Sequence, residues 1–226
     1  MPILYDLSGL PSETRELIEN SAKYTALFSK SPAKILGIDS NAKTVKGQKQ
    51  MVLTGIFYGT PYNGSGLNMC SMAVIAQCHI ACLFTAGRGA MLNVFLSRLR
   101  KTLCLQQFPD VFKEILVKDI RKLERKAQRL GMVPMVRLNG TTDIRWEIFF
   151  PELFTMFPNV QFYDYTKIAN RNVDHIPNYD LTFSYSGVKE YQPFVQQAID
   201  NGLRIAVVFK HKDRIPTQFL GMDCVD

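Results

Sequence analysis

The sequence predicts an α/β protein, a partial (β/α) barrel or a parallel sheet with helices, preceded by a helical N-terminal extension. Two observations predict it. Four short β-prone runs, "MVPMVRLNG", "NVQFYDYTK", "YDLTFSYSG" and "LRIAVVFKH", begin near residues 132, 159, 179 and 203. Helix-prone stretches separate them, and strands alternating with helices at such intervals are the signature of βαβ units and a parallel sheet. Upstream, "MVLTGIFYG" (51–59) is apolar and β-prone, and "TPYNGSG" after it is a dense turn cluster. The barrel form is preferred, with an open doubly wound sheet as the alternative.

Taken in order, residues 1–40 form the extension: "SETRE" is a capping-type start and "LIENSAKYTALF" continues as a helix. Residues 41–226 form the α/β domain. Within it a strand is expected over 51–59, a helix bearing cysteines over 72–84, and another from Met91 to about Leu105. A long helix follows from about Pro109 to Leu130. There Phe112, Ile115, Leu116, Ile120, Leu123, Ala127 and Leu130 recur at helical spacing, so the Lys and Arg residues of "KEILVKDIRKLERKAQRLG" fall on the opposite face. Glu114 and Lys118 make a favourable i,i+4 pair, and Gly131 suits the C-cap. The strands near 132, 159, 179 and 203 then alternate with "WEIFFPELFTMF", the weaker "IANRNVDHIPN" and "VKEYQPFVQQAIDNG".

Composition limits the function. The chain has 226 residues, of which 46% are hydrophobic and 21% charged, values of an ordinary globule. No apolar run reaches the roughly 18 residues that would span a bilayer, so no membrane partner is expected. The first twenty residues lack the charged-then-apolar order of a signal peptide. A reducing cytoplasm is therefore expected, where the chain's five cysteines should not be structural disulfides. The formal charge of +7 permits an anionic partner such as nucleic acid. Much of that charge lies on the long helix, where a solvated face is the plainer reading, and in "NAKTVKGQK", which reads as an exposed loop.

The chemistry-bearing residues gather in two places. Cys70, Cys78 and Cys82 lie within thirteen residues, followed by the glycine-flanked Arg88. They are either small apolar residues of a buried segment or ligands of one metal. As ligands they suit an iron–sulfur cluster with one open iron, or zinc completed by His79, His211 or water. Cys104 and Cys224 read as packing residues. The second gathering is at the ends of the β-type runs: Asn139, Thr141, Thr142 and Asp143; Asp164, Tyr165, Thr166 and Lys167; Thr182, Ser184 and Ser186; Lys210 and His211. Parallel α/β folds bind ligands at the carboxyl ends of their strands, although such loops are also rich in capping residues. In "VQFYDYTK" the alternation puts Asp164 on the side of Phe162, where a carboxylate needs a partner such as Arg137 or Arg145.

The segments "SNAKTVKGQK", "LTGIFYGTPYNGSGLNMC", "CHIACLFTAGRG", "VRLNGTTDIRW", "VQFYDYTKI" and "LTFSYS" resemble those of a family of phage-encoded proteins, the gene-product-88-like group, over roughly residues 39–226. That resemblance implies a phage accessory protein, in the cytoplasm of the host cell, and no particular activity. More loosely, three cysteines ahead of a run of βα units are similar to radical S-adenosylmethionine enzymes, although the gaps of seven and three residues here are wider than in that family. Two readings follow. One is an enzyme with an iron–sulfur cluster on Cys70, Cys78 and Cys82, S-adenosylmethionine as a cofactor and an unknown small-molecule substrate. Arg88 and Lys167 would hold anionic groups, and Asn139, Asp143, Asp164, Thr166 and Ser184 would orient polar ones. The other is a non-catalytic protein that binds a host or virion component, its cysteines holding zinc or packing.

Overall fold

The computed structural model describes residues 1–38, 42–82, 84 and 87–225. At its centre is a six-stranded sheet built from β1 (Leu36–Ile38), β2 (Val52–Phe57), β3 (Val133–Arg137), β4 (Gln161–Thr166), β5 (Tyr179–Ser184) and β6 (Arg204–Ala206). Their order in space is β1-β2-β3-β4-β5-β6, with β1 antiparallel to β2 and every later pair parallel. The order never reverses, so the sheet has no switch point of the doubly wound kind. Successive right-handed crossovers advancing in one direction place their connections on one face, as in the wall of a barrel. Here β1 and β6 are the edges, and the wall stays open.

Among the described residues eight helices accompany the sheet: α1 (Ser12–Glu19), α2 (Ala22–Leu27), α3 (Ala42–Gly47), α4 (Leu92–Gln107), α5 (Pro109–Leu130), α6 (Trp146–Phe149), α7 (Glu152–Met156) and α8 (Gln192–Asp200). Of the residues at helical spacing on α5, Phe112, Leu116, Ile120, Leu123 and Ala127 are fully buried, whereas Ile115 is half-buried and Leu130, at the helix end, is exposed. They pack over β1, β2 and β3. Gly131 closes the helix at φ 64°, and the amides of Gly131 and Met132 bond back to Gln128 and Ala127. Asp119, buried on the inner side of α5, accepts the amides of Ile35 and Leu36 and so fixes the start of β1. Tyr5, Leu10, Ile18 and Phe28 from the N-terminal segment join the same core as Phe57, Phe112 and Trp146.

The strands expected near 51, 132, 159, 179 and 203 are present. Four local expectations are corrected. The helix expected over 72–84 does not form among the described residues: residues 71–81 are a chain of turns, and Gln77 at φ 54° breaks any i→i−4 ladder. Instead Ala73 and Ala76 are pinned in buried positions, Ala76 beside Phe183 and Tyr191, so tertiary contact sets the local shape. "IANRNVDHIPN" is short turns and irregular chain; Asn178 ties it down by donating to the carbonyls of Phe154, Phe157 and Val160. Within the basic "NAKTVKGQK" stretch, Ala42–Gly47 is α3 and a 3-10 turn over Gln48–Gln50 follows, rather than a loop. Strand β1 lies inside the segment read as purely helical. The division placed at residue 40 falls among residues 39–41, outside those described.

Candidate functional site

The carboxyl ends of β2 and β3 are stitched together by the Leu-Asn-Gly-Thr segment. Asn139 is buried and uses its whole amide: Oδ1 accepts from Thr142 Oγ1 (3.0 Å), the Ile144 amide (2.9 Å) and Trp146 Nε1 (3.1 Å), while Nδ2 donates to the Ile144 carbonyl (2.9 Å). Gly140 donates its N–H to the Phe57 carbonyl (3.0 Å) and passes so close that a Cβ would sit 2.5 Å from that oxygen. Only glycine fits there. Thr141 Oγ1 donates to the Gly59 carbonyl (2.6 Å), and the Asp143 amide donates to the Met69 carbonyl (2.9 Å), joining this corner to the cysteine-bearing loop.

A cavity opens between that loop and the strand ends. Cys70, Cys78 and Cys82 line one wall; Arg137, Asn139, Asp143, Tyr165, Thr166, Lys167 and Ser184 line the other. The cysteines and eight of the strand-end residues named from the sequence, Thr141 and Thr142 included, therefore meet in one place. Asp164 lies beneath the lining, 2% exposed, and Arg88 is exposed in a 3-10 turn (Gly87–Ala90) away from the cavity. The lining includes neither His79 nor His211. His79 Nδ1 instead lies 2.9 Å from the Ala73 carbonyl oxygen, within its own loop. Cys104 is buried in the main core, as expected of a packing residue.

The two predicted aspartates are joined through a residue that the sequence did not single out. Arg171, 1% exposed, donates through Nε and Nη2 to the two oxygens of Glu147 (3.1 and 2.7 Å), through Nη1 to Asp143 Oδ1 (3.3 Å) and through Nη2 to the Tyr179 hydroxyl (2.9 Å). Tyr179 passes its own hydrogen to Asp164 Oδ2 (3.0 Å), and the Asn139 amide donates to Asp164 Oδ1 (2.6 Å). Arg145, anticipated as a partner of Asp164, pairs with Glu147 instead. Asp143 also accepts from Thr166 Oγ1 (2.8 Å) and the Lys167 amide (2.7 Å). Lys167 Nζ is committed to the carbonyls of Ser184 (2.7 Å) and Tyr185 (2.9 Å) and to Ser184 Oγ (3.1 Å).

Burial governs the titration of the site. It pushes the Asp164 carboxyl up to about 7, against the opposing pull of the Asn139 amide and of Arg171 and Arg137. It raises Asp143 as well and lowers the Lys167 ammonium. The Cys70 thiol is pushed up to about 12 by burial, and Cys78 is raised for the same reason, so neither is a ready thiolate. Among the described residues no three His, Cys, Asp or Glu side chains converge closely enough to hold a metal ion. The three thiols share a cavity without forming a finished coordination sphere. Among the described residues no helix is long and apolar enough to cross a membrane.

Of the residues missed by sequence reasoning, Tyr179 left a signal. It starts β5 on the buried face with Leu181 and Phe183, opposite Phe162 and two residues before Leu181, the strand partner of Asp164. Arg171 left none, being a single arginine in an irregular connection. In comparisons with known proteins, a family model described as gene product 88 matches residues 28–226. No curated protein and no solved structure matches the chain.

Proposed function

The chain belongs to the gene product 88 family, a phage-type family, and on that premise we propose that Cys70, Cys78 and Cys82 hold an iron–sulfur cluster in an enzyme site. The observation that carries this reading is the meeting of three thiols with the carboxyl ends of parallel strands around one cavity. The donor set fits a cluster better than zinc: neither His79 nor His211 lines the cavity, and both oxygens of Asp143 are already engaged. The loop of turns between Met72 and Ala81 lacks the ladder of a helix, which suits it to close around a metal as the site folds on binding.

When bound, such a cluster supplies electron transfer and one open iron for a small molecule such as S-adenosylmethionine. The chain's own residues shape the space around it. Asp143, fixed by Thr166, Lys167 and Arg171, holds the connection after β3 against the connection after β4. Lys167 closes the gap between the ends of β4 and β5 by gripping the Ser184 and Tyr185 carbonyls. Chromatography without oxygen, followed by iron, sulfide and zinc analysis, tests the proposal. Brown protein with iron and acid-labile sulfide, lost on Cys70, Cys78 and Cys82→Ala, is the expected result. Metal-free protein, with a triple variant that is indistinguishable from it, overturns it.

The second reading, a binding protein for a host or virion component, is favoured by the outer side of the same loop. Leu67, Val74, Ile75 and Ile80 are exposed there, Ile80 by 72%. Stoichiometric zinc in the same analysis supports that reading.

A further inference from the structure

The cavity carries two cations, and they differ in what remains of their donors. Lys167 has spent its ammonium on three neutral oxygens. Arg137, the last residue of β3, spends only Nε, which donates to the Asn139 carbonyl (3.2 Å). No described carboxylate lies within 4.0 Å of its guanidinium, and its terminal nitrogens make no hydrogen bond within the described residues. The group is nonetheless held in place. Its guanidinium carbon lies 5.0 Å from the centre of the Tyr165 ring, and both residues line the cavity.

We infer that Arg137 and Tyr165 form an anion-gripping wall, and that the cavity takes a small ligand bearing a carboxylate or phosphate. A guanidinium fixed by stacking and by one hydrogen bond offers its two remaining nitrogens as a fork, which matches two oxygens of either group. The charge of the lining agrees. Arg137 and Lys167 are positive, and Asp143, the acidic residue of the lining, is ion-paired from behind with Arg171. An anion entering there meets a guanidinium with no described carboxylate in contact with it, whereas a cationic ligand meets repulsion. The role assigned from the sequence to Arg88 thus passes to Arg137. The inference rests on this cavity being the working site, but needs no metal in it.

Thermal unfolding in the presence of pyrophosphate or malonate, against chloride at matched ionic strength, tests it. The unfolding midpoint should rise saturably with at least one of the two anions, and which one separates a phosphate ligand from a carboxylate ligand. The same rise is expected in the Cys70, Cys78 and Cys82→Ala variant, because the grip lies on the strand wall, so failure of the metal reading leaves this result intact. Arg137→Gln should abolish the rise. Arg137→Lys, which keeps the charge and loses the fork, should weaken it at least several-fold, and it serves if Arg137→Gln does not fold. Absence of a saturable rise with both anions overturns the inference. So does a rise that survives substitution of Arg137, which would place the anion elsewhere on this basic chain.

Discussion

Asp164 shows how far a single position can be read. The alternation of "VQFYDYTK" puts it beside Phe162 and Thr166, and all three are buried. Its need for partners was legible; their identity was not, because Tyr179 comes from the next strand and Arg171 acts through it from an irregular connection. The raised carboxyl gives a pH dependence of definite sign. Folded Asp164 holds its proton to about pH 7, whereas an unfolded aspartate loses it near pH 4. Over that window the native state binds more protons, so its contribution to stability is present at low pH and is lost as pH rises through 7. Buried Asp143, also raised, adds in the same direction. Wild-type protein should therefore be less stable at pH 8 than at pH 5.5, by an unfolding free energy on the order of a few kcal/mol, and Asp164→Asn should flatten that difference. Calorimetry of both proteins at the two pH values checks it; an equal slope in both would clear Asp164 of the effect. Arg171→Met should be more damaging, since it strands Glu147 and Asp143 in a buried setting. A loss of about 3–5 kcal/mol in urea unfolding is expected.

Among the elements, α5 was legible from end to end because every local signal agrees: the proline at its first turn, the apolar stripe and the glycine after it. Gly131 has nothing within 4 Å of where a Cβ would be, so its requirement is one of backbone alone. Gly131→Ala should cost about 1 kcal/mol through the left-handed conformation and leave the core unchanged; equilibrium unfolding measures it, and a cost near zero would remove the capping role. The cysteine-bearing loop was not legible. Its residues suit a helix, yet the contacts that shape it come from Phe183, Tyr191 and the Thr141 carbonyl, all distant in the chain. The gathering of its three thiols at the strand ends was nevertheless foreseeable, because the loop leaves β2 on the side where every parallel strand ends.

For the whole molecule, the parallel sheet and its face of polar strand ends were readable from the rhythm of β-prone runs. The edge strand β1 was not, being three residues long and antiparallel. The central strands β3 and β4 are paired on both sides, whereas β6 has one neighbour and three residues. Amide exchange should accordingly be slowest in β3 and β4 and fastest in β6; early exchange of β4 would contradict this layout. The unbroken strand order carries a further consequence for the chain as it is made. A ribosome delivers the strands in the sequence in which they lie side by side, so each newcomer meets an edge already laid down and none must be inserted between two partners. The sheet can grow as a wall is built, from one end, and the cysteine-bearing loop emerges before the strands whose ends it will face.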